Sequence, residues 1–305
     1  MTFRYDVIVI GDYFIDLVFS GLPRFPELGV EIIGKDFQMI PGGAYNSALA
    51  MHRLGLKVGW ACDFGTDDFS RFVLERVRSD GLDDSLFVSQ AQPLRRITVS
   101  VSYPEDRAFI TYCDPDPPDP AVLQALAANS ARVVYLAGFW EGQAFENVVE
   151  AVRARQMKLV MDGNSSGDIN LTRDSVCRAI CSVDLFTPNA AEARRITGQA
   201  DLGQAIKTLG ELCSLVVVKD GACGAYACIG SHVIHAPAIP ITPVDTTGAG
   251  DCFNAGFLAA WLDGLPLEEC LRWGNVVGGL STLSHGGTGR AVTRSDVEAW
   301  LRPKE

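Results

Sequence analysis

No run of about 18 apolar residues occurs in the chain, so a membrane-spanning helix is not expected. The opening MTFRYDVIVIGD enters a strand-like pattern at once. It lacks the long apolar stretch and small-residue cleavage site of a signal peptide, and a cytoplasmic protein is the expectation. Basic residues are outnumbered, 26 against 37 acidic, for a net charge of −11. That balance argues against a broad grip on nucleic acid or an anionic membrane, while leaving room for a small anion held by a few local groups. Paired zinc ligands are missing: Cys177/Cys181 and Cys228/His232/His235 do not have finger or ribbon spacing. The nine cysteines are odd in number and scattered singly in apolar contexts, which reads as thiols packed as small hydrophobes in a reducing compartment. There is no internal repeat, no low-complexity tail, and no GxxxxGK[ST], so a P-loop kinase is excluded.

What is present is an ordinary globular composition, 48% hydrophobic and 21% charged over 305 residues, enough to bury a core without disulfides or structural metal. Apolar runs at 5–10, 58–62, 132–136, 158–161, 183–187 and 215–219 read as buried strands. Helical patterns lie between them, at 67–78 (apolar at 69, 72, 73 and 77, with Gly81 following), 146–155, 201–212 and 267–283. Thr293 and Asp296 open a last helix in a loose capping box. This alternation implies an α/β fold with a mostly parallel sheet covered by helices. Two stretches break it. Residues 30–39 alternate like an exposed strand, and 96–103 with 107–113 read as a hairpin around Pro-Glu-Asp; the linker DPDPPDP (114–120) is too proline-rich for regular structure. Strands inserted without helices suggest a small β layer attached to the main sheet.

Three segments carry candidate chemistry. In VDTTGAGDCFNAGF (244–257), Gly248, Ala249 and Gly250 precede a helical stretch. A Gly-rich turn opening a helix presents backbone N–H groups at the positive dipole end, which suits phosphate. Asp251, on the first turn, is placed to accept a hydroxyl proton; a tight turn with a capping Asp explains the segment equally well on its own. In PGGAYNSALAMHRL (41–54), Gly42 and Gly43 permit close approach, and Asn46 offers donor and acceptor to a polyol. In GDYFID (11–16), Asp12 and Asp16 sit at the exit of the first strand, where ligands of parallel sheets gather.

Taken in order with TPNAAEARRITG (187–198), these segments resemble the PfkB, or ribokinase-like, family of carbohydrate and nucleoside kinases over essentially the whole chain. The resemblance implies a three-layer sandwich with a mostly parallel central sheet and a β lid: a core of 1–12, 42–94 and 114–305, with 13–41 and 95–113 as the lid. It implies an ATP-dependent, Mg²⁺-requiring kinase of a small sugar or sugar-derived substrate. Asp251 takes the place of the catalytic base, and Gly248, Ala249 and Gly250 that of the anion hole. Asp12, Asp16, Gly42, Gly43, Asn46, Glu141 and Asn164 fall at substrate positions. Asn189, Lys219, Gly221, Gly224 and Asn275 lie along the nucleotide, with Glu192 organising Mg²⁺ through water. Asp245, Thr247, Ser284 and Gly286 occupy the region of a monovalent cation such as K⁺. A homodimer through the lid is a further implication, as exposed strand edges invite pairing.

The chain also departs from family patterns. Ser166 follows DGNS where fructokinase-like and ketodeoxygluconate-kinase-like members carry Arg. The hairpin lacks an evident Tyr-Arg pair for a substrate carboxylate; Arg96 and Arg107 are long enough to reach the site, but a surface position is the expectation for both. Tyr45 and Phe14 are expected to pack, and His52 to lie on a helix surface. A nucleoside is the alternative substrate. A non-catalytic sugar-binding regulator is the alternative from another class, against which the intact Asp251, anion hole and N-x-x-E argue.

Overall fold

The apolar runs of the sequence gather into one large sheet and the inserted strands into a second, smaller one. The structure, a computed structural model, describes residues 3–102, 107–117, 120–165 and 167–302. Strand β1 (Tyr5–Ile10) leads through β2 (Tyr13–Ser20) and β3 (Asp36–Gly43) to α1 (Ala44–Arg53), β4 (Val58–Phe64) and α2 (Asp68–Ser79). Next come β5 (Phe87–Ser89), β6 (Arg96–Ser102), β7 (Arg107–Cys113), α3 (Ala121–Ala128), β8 (Ala131–Leu136), α4 (Gly142–Ala154) and β9 (Lys158–Asp162). The alternation continues with α5 (Asp174–Cys181), β10 (Leu185–Thr187), α6 (Ala190–Thr197), α7 (Leu202–Leu212) and β11 (Val216–Lys219). A hairpin of β12 (Ala225–Ile229) and β13 (His232–Ala236) precedes α8 (Ala249–Leu262), α9 (Leu267–Ser281) and α10 (Arg294–Leu301).

The large sheet runs β13-β12-β11-β10-β9-β8-β1-β4-β5. It is parallel from β11 to β5, with β12 and β13 added antiparallel at one edge. Successive side chains of a strand point to opposite faces, and β1 shows the consequence. Val7 and Val9 join a core shared with α1, α8 and α9, whereas Ile8 and Ile10 join the core under α4, α5 and α7. Burial on both faces explains why these strands read as unbroken apolar runs. The result is the ribokinase-like three-layer sandwich. The small sheet, ordered β3-β2-β6-β7, is attached through Tyr13 and Ile15, both fully buried, while Phe37, Phe109, Ile110 and Tyr112 are exposed. No helix among the described residues is long and apolar enough to cross a membrane.

Several sequence expectations need correction. The exposed strand expected at 30–39 begins at Asp36 and continues to Gly43. Its extent is set by its partner, in register from Ser20↔Asp36 to Tyr13↔Gly43; β2 ends where Gly21 (φ 65°) turns the chain away. Val30 and Ile33 are exposed residues outside the strand. Helix α4 begins at Gly142, a turn earlier than the apolar pattern suggests, with Glu141 as its N-cap. Five cysteines are buried as expected, but Cys113, Cys181 and Cys223 are exposed. The Pro-Glu-Asp turn, Ser166 and the side chain of Arg107 lie outside the described residues.

Candidate active site

The C-terminal edges of the parallel strands carry most of the residues singled out above. Asp12 follows β1, Asp162 ends β9, Asn189 follows β10 and Lys219 ends β11. Neighbouring strands are about 4.8 Å apart, so the four steps from β11 to β1 span about 19 Å. Between these ends stands the N-terminus of α8. Lys219 Nζ approaches Gly250 on one side, and Asn46 approaches Gly248 on the other.

Helix α8 opens without a side-chain cap, from Gly248 at φ 68°. The Ala249 N–H makes only a long 3.3 Å contact to the Thr246 carbonyl. Weakly satisfied donors at a helix start form an anion site. Asp251, on this first turn, accepts a 2.6 Å hydrogen bond from Ser47 Oγ on α1. Burial pushes its carboxyl up to about 6; the Ser47 bond, Lys219 and Asn46 oppose that rise, and the Asp162 charge adds to it. A carboxylate poised there is a suitable proton acceptor near neutral pH.

At the β1 end, Gly42 and Gly43 pair with Phe14 and Tyr13 inside the small sheet. A side chain at Gly42 would collide with the Asp16 carboxylate, so the glycine is what admits Asp16. Asn46 is buried, and its Oδ1 has no partner among the described residues. Asn164 is exposed beyond β9, its N–H held 2.8 Å from Asp162 Oδ1. Glu141 pairs with Arg173 at 2.6 Å, while its Oε2 is buried with no partner among the described residues. Tyr45 packs, donating its hydroxyl to Asp80.

Arg96 is not the surface arginine expected. Its side chain is 2% exposed and lies 3.1 Å from both Asp12 and Asp116. The reason is position: Arg96 opens β6 beside β2, so its side chain reaches the exit of β1 and not bulk water. Burial raises the Asp12 carboxyl to about 6 against the pull of Arg96, with Asp116 and Asp63 adding to the rise.

At the β11 end, Asn189 and Glu192 form a reciprocal capping box on α6, at 2.9 and 2.7 Å. Burial, then the Asp162 charge, raises the Glu192 carboxyl. Lys219 Nζ is held by Asp162 at 2.6 Å. Gly221 and Gly224 frame the short turn after β11. The Asn275 amide nitrogen donates to the Ala236 and Pro237 carbonyls, both at 3.0 Å, tying α9 to β13. Asp245 gathers the remaining candidates: it accepts from Thr247 N (2.9 Å), Thr247 Oγ1 (2.7 Å) and Gly286 N (2.9 Å). Ser284 Oγ is buried with no partner among the described residues.

These donors fit a nucleoside triphosphate: an uncapped helix start with a lysine beside it. Among the described residues no group of three or more His, Cys, Asp or Glu is placed to hold a metal ion. A hard divalent ion here would therefore draw most of its oxygens from phosphates and water. The orphaned Ser284 Oγ beside the Asp245 cluster fits an oxygen-bound monovalent cation.

Ser47, Tyr135, Arg96 and Asp162 were not among the candidate site residues. Asp162 carried a signal, a charge that ends the apolar run of residues 159–161 and opens DGNS; Ser47 and Tyr135 carried none.

The profile of the pfkB family carbohydrate kinases matches residues 5–294. The chain is 26% identical over 300 residues to the ribokinase of Bacillus subtilis (strain 168), covering 97% of this chain and 99% of that protein. It is 30% identical over 286 residues to the cytidine kinase of Thermococcus kodakarensis, covering 88% and 93%. Among solved structures, the Arabidopsis thaliana ribokinase complexed with ribose and ATP superposes with a TM-score of 0.83 at 23% identity, covering 98% of this chain and 99% of that one.

Proposed function

The chain belongs to the pfkB family of carbohydrate kinases, and from that premise we propose that it transfers the γ-phosphoryl group of ATP to a hydroxyl of a small sugar or sugar-derived substrate. The observation that carries this reading is Asp251, held by Ser47 on the uncapped first turn of α8, between Lys219 and Asn46. Phosphoryl transfer needs positioning and charge neutralisation more than covalent chemistry. Asp251 accepts the hydroxyl proton. The N–H groups of Gly248, Ala249 and Gly250 hold the phosphoryl oxygens, and Lys219 places a positive charge beside them. Asp12, Asp16, Gly43 and Asn46 orient the acceptor, with Glu141 and Asn164 at its rim. Asn189, Gly221, Gly224 and Asn275 shape the nucleotide end. Glu192 and the Asp245, Thr247, Ser284 and Gly286 cluster are the residues that would hold Mg²⁺, through water, and K⁺. Bound Mg²⁺ neutralises charge on the phosphates.

A nucleoside acceptor is the second reading, favoured by the 30% identity to a cytidine kinase. Both are tested by ATP consumption across a panel of sugars, sugar acids and nucleosides. The expected result is saturable turnover with a free sugar. Turnover only with nucleosides selects the second reading, and thermal stabilisation by sugars without any ATP consumption selects a non-catalytic binder.

Segments 13–41 and 95–113 act in this reading as a lid that closes over the acceptor and excludes water, limiting wasteful ATP hydrolysis. The exposed Phe37, Phe109, Ile110 and Tyr112 on the small sheet support pairing of two lids in a homodimer. Sedimentation at micromolar concentration should show a dimer; a monomer throughout would remove the idea.

A further inference from the structure

Among the described residues Arg96 is the only arginine that is buried, and the mechanism above gives it no task. Strand alternation turns its neighbour Arg95 outward, where Asp114 holds it at 2.9 Å, and turns Arg96 inward. The Arg96 guanidinium lies 5.8 Å from the centroid of the Tyr13 ring, within cation–π range. Its Nη2 forms ion pairs with Asp12 Oδ1 and Asp116 Oδ1, both at 3.1 Å. The three side chains differ sharply in exposure: 44% for Asp12, 2% for Arg96 and 81% for Asp116. Asp12 thus stands open at the exit of β1, beside the Gly43 turn. Arg96 lies beneath it, and Asp116 caps Arg96 from the outer surface.

Stability does not account for this arrangement. Arg96 Nη1 is buried with no partner among the described residues, and a buried donor left unpaired is destabilising. A buried ion pair recovers little beyond its own desolvation. Nor is the guanidinium offered to an anionic ligand. Its Nη2 already serves two carboxylates, and the leftover Nη1 is closed off from the cleft. Two further carboxylates stand close by: Asp16 across Gly42, and Asp63 at the end of β4, held by Gln90 Nε2 at 2.6 Å and the Ala121 N–H at 3.0 Å. An acidic acceptor would therefore meet Asp12 and Asp16 before any free cation.

We propose that Arg96 is a positioning residue that acts on the acceptor through Asp12: it fixes that carboxylate at the cleft to receive a hydroxyl of an uncharged acceptor, and so selects against sugar acids. This role rests on the kinase reading and on Asp12 contacting the acceptor. Asp116 competes with Asp12 for the same Nη2, so the loss of Arg96 and the loss of the Asp116 charge act on Asp12 in opposite directions. Burial raises the Asp12 carboxyl to about 6; Arg96 opposes the rise, and Asp116 and Asp63 add to it. Removing Arg96 raises the carboxyl further, and neutralising Asp116 lowers it. The remaining ionisable neighbours are the thiols of Cys62 on β4 and Cys113 on β7, both pushed up by burial and so neutral near pH 6.

At neutral pH Arg96→Met should raise the acceptor KM by about tenfold, the equivalent of one weakened charge-assisted hydrogen bond, with kcat little changed. Arg96→Lys should recover part of the loss. With Asp12→Asn already present, Arg96→Met should add less than about twofold. A further tenfold loss there, or turnover of a sugar acid in preference to its neutral parent, would mean that Arg96 meets the acceptor directly and would overturn the proposal. Asp12 ionisation can also be followed without substrate, as the melting-temperature gap between each protein and the same protein carrying Asp12→Asn. In the wild type the gap should open as pH rises from about 4 to about 6. Its upper end should move up by about 1 pH unit or more in Arg96→Met and down in Asp116→Asn. Shifts of the same sign, or an unmoved upper end in both, would equally refute it. Should Arg96→Met fail to fold, the shift in Asp116→Asn decides alone, since Asp116 lies at the surface. If no hydroxyl compound is phosphorylated, the kinase reading fails, while the melting gap still decides whether Arg96 governs Asp12.

Discussion

Asp251→Asn should lower kcat by about 10²–10⁴, the usual contribution of a positioned general base, while the nucleotide still binds. Asn keeps the shape and can still accept the Ser47 hydrogen bond but cannot take a proton. Turnover within about tenfold of wild type, roughly 1.4 kcal/mol of barrier, would refute the base assignment. The same substitution should have the opposite effect on stability. The fold raises this carboxyl from 3.8 to about 6, so the ionised form is the one the fold disfavours. The folded protein binds the proton more tightly than the unfolded chain, and stability falls as pH rises between about 4 and about 6. Above that window Asp251→Asn should melt a few degrees higher than wild type, and below it the gain should vanish. A catalytic loss coupled to a pH-dependent stability gain is the signature of a buried functional charge.

Gly248→Ala should be the most damaging of the single methyl additions in the proposed anion hole. Gly248 holds φ 68°, and a Cβ there would lie 2.5 Å from the Gly287 Cα and 3.0 Å from Asn46 Nδ2. The left-handed backbone costs an Ala about 1–2 kcal/mol. The clash is with backbone, so the turn itself must move. Displacing one preorganised donor typically costs about 10²–10³ in kcat, and that loss is expected together with a lower melting temperature. Gly250→Ala is the natural comparison: its nearest neighbours are the flexible end of Lys219, at 3.6 Å and beyond, and it should be milder in both readouts. A Gly248→Ala enzyme with near-normal kcat, or a Gly250→Ala enzyme that is worse, would mean that the 248–250 turn does not hold the transferring group.

The two glycines illustrate what was legible before the structure. A Gly-Ala-Gly turn opening a helix, with an acidic residue on the first turn, is a local backbone pattern, and local patterns survive folding. The same holds for the Asn189/Glu192 capping box and for the apolar strands of the parallel sheet. The exposed strand at 30–39 was misplaced because strand ends depend on a partner: β3 extends only where β2 runs beside it. Alternation in one segment does not contain that information.

Arg96 and Ser47 mark the limit from the side of the site. An arginine at the start of a hairpin strand, next to Arg95, looks like a surface residue, and only the parallel pairing of β6 with β2 sends it to Asp12. Ser47 meets Asp251 across 204 residues, Tyr135 meets Asn254 across 119, and Asp162 meets Asn254 across 92. By itself the sequence determined the α/β alternation, the family, and the Gly-Ala-Gly turn with its carboxylate, because each is written in short-range spacing and backbone preference. The tertiary structure alone decided which buried polar groups surround that carboxylate, because their meeting depends on the order in which distant strands are laid into one sheet.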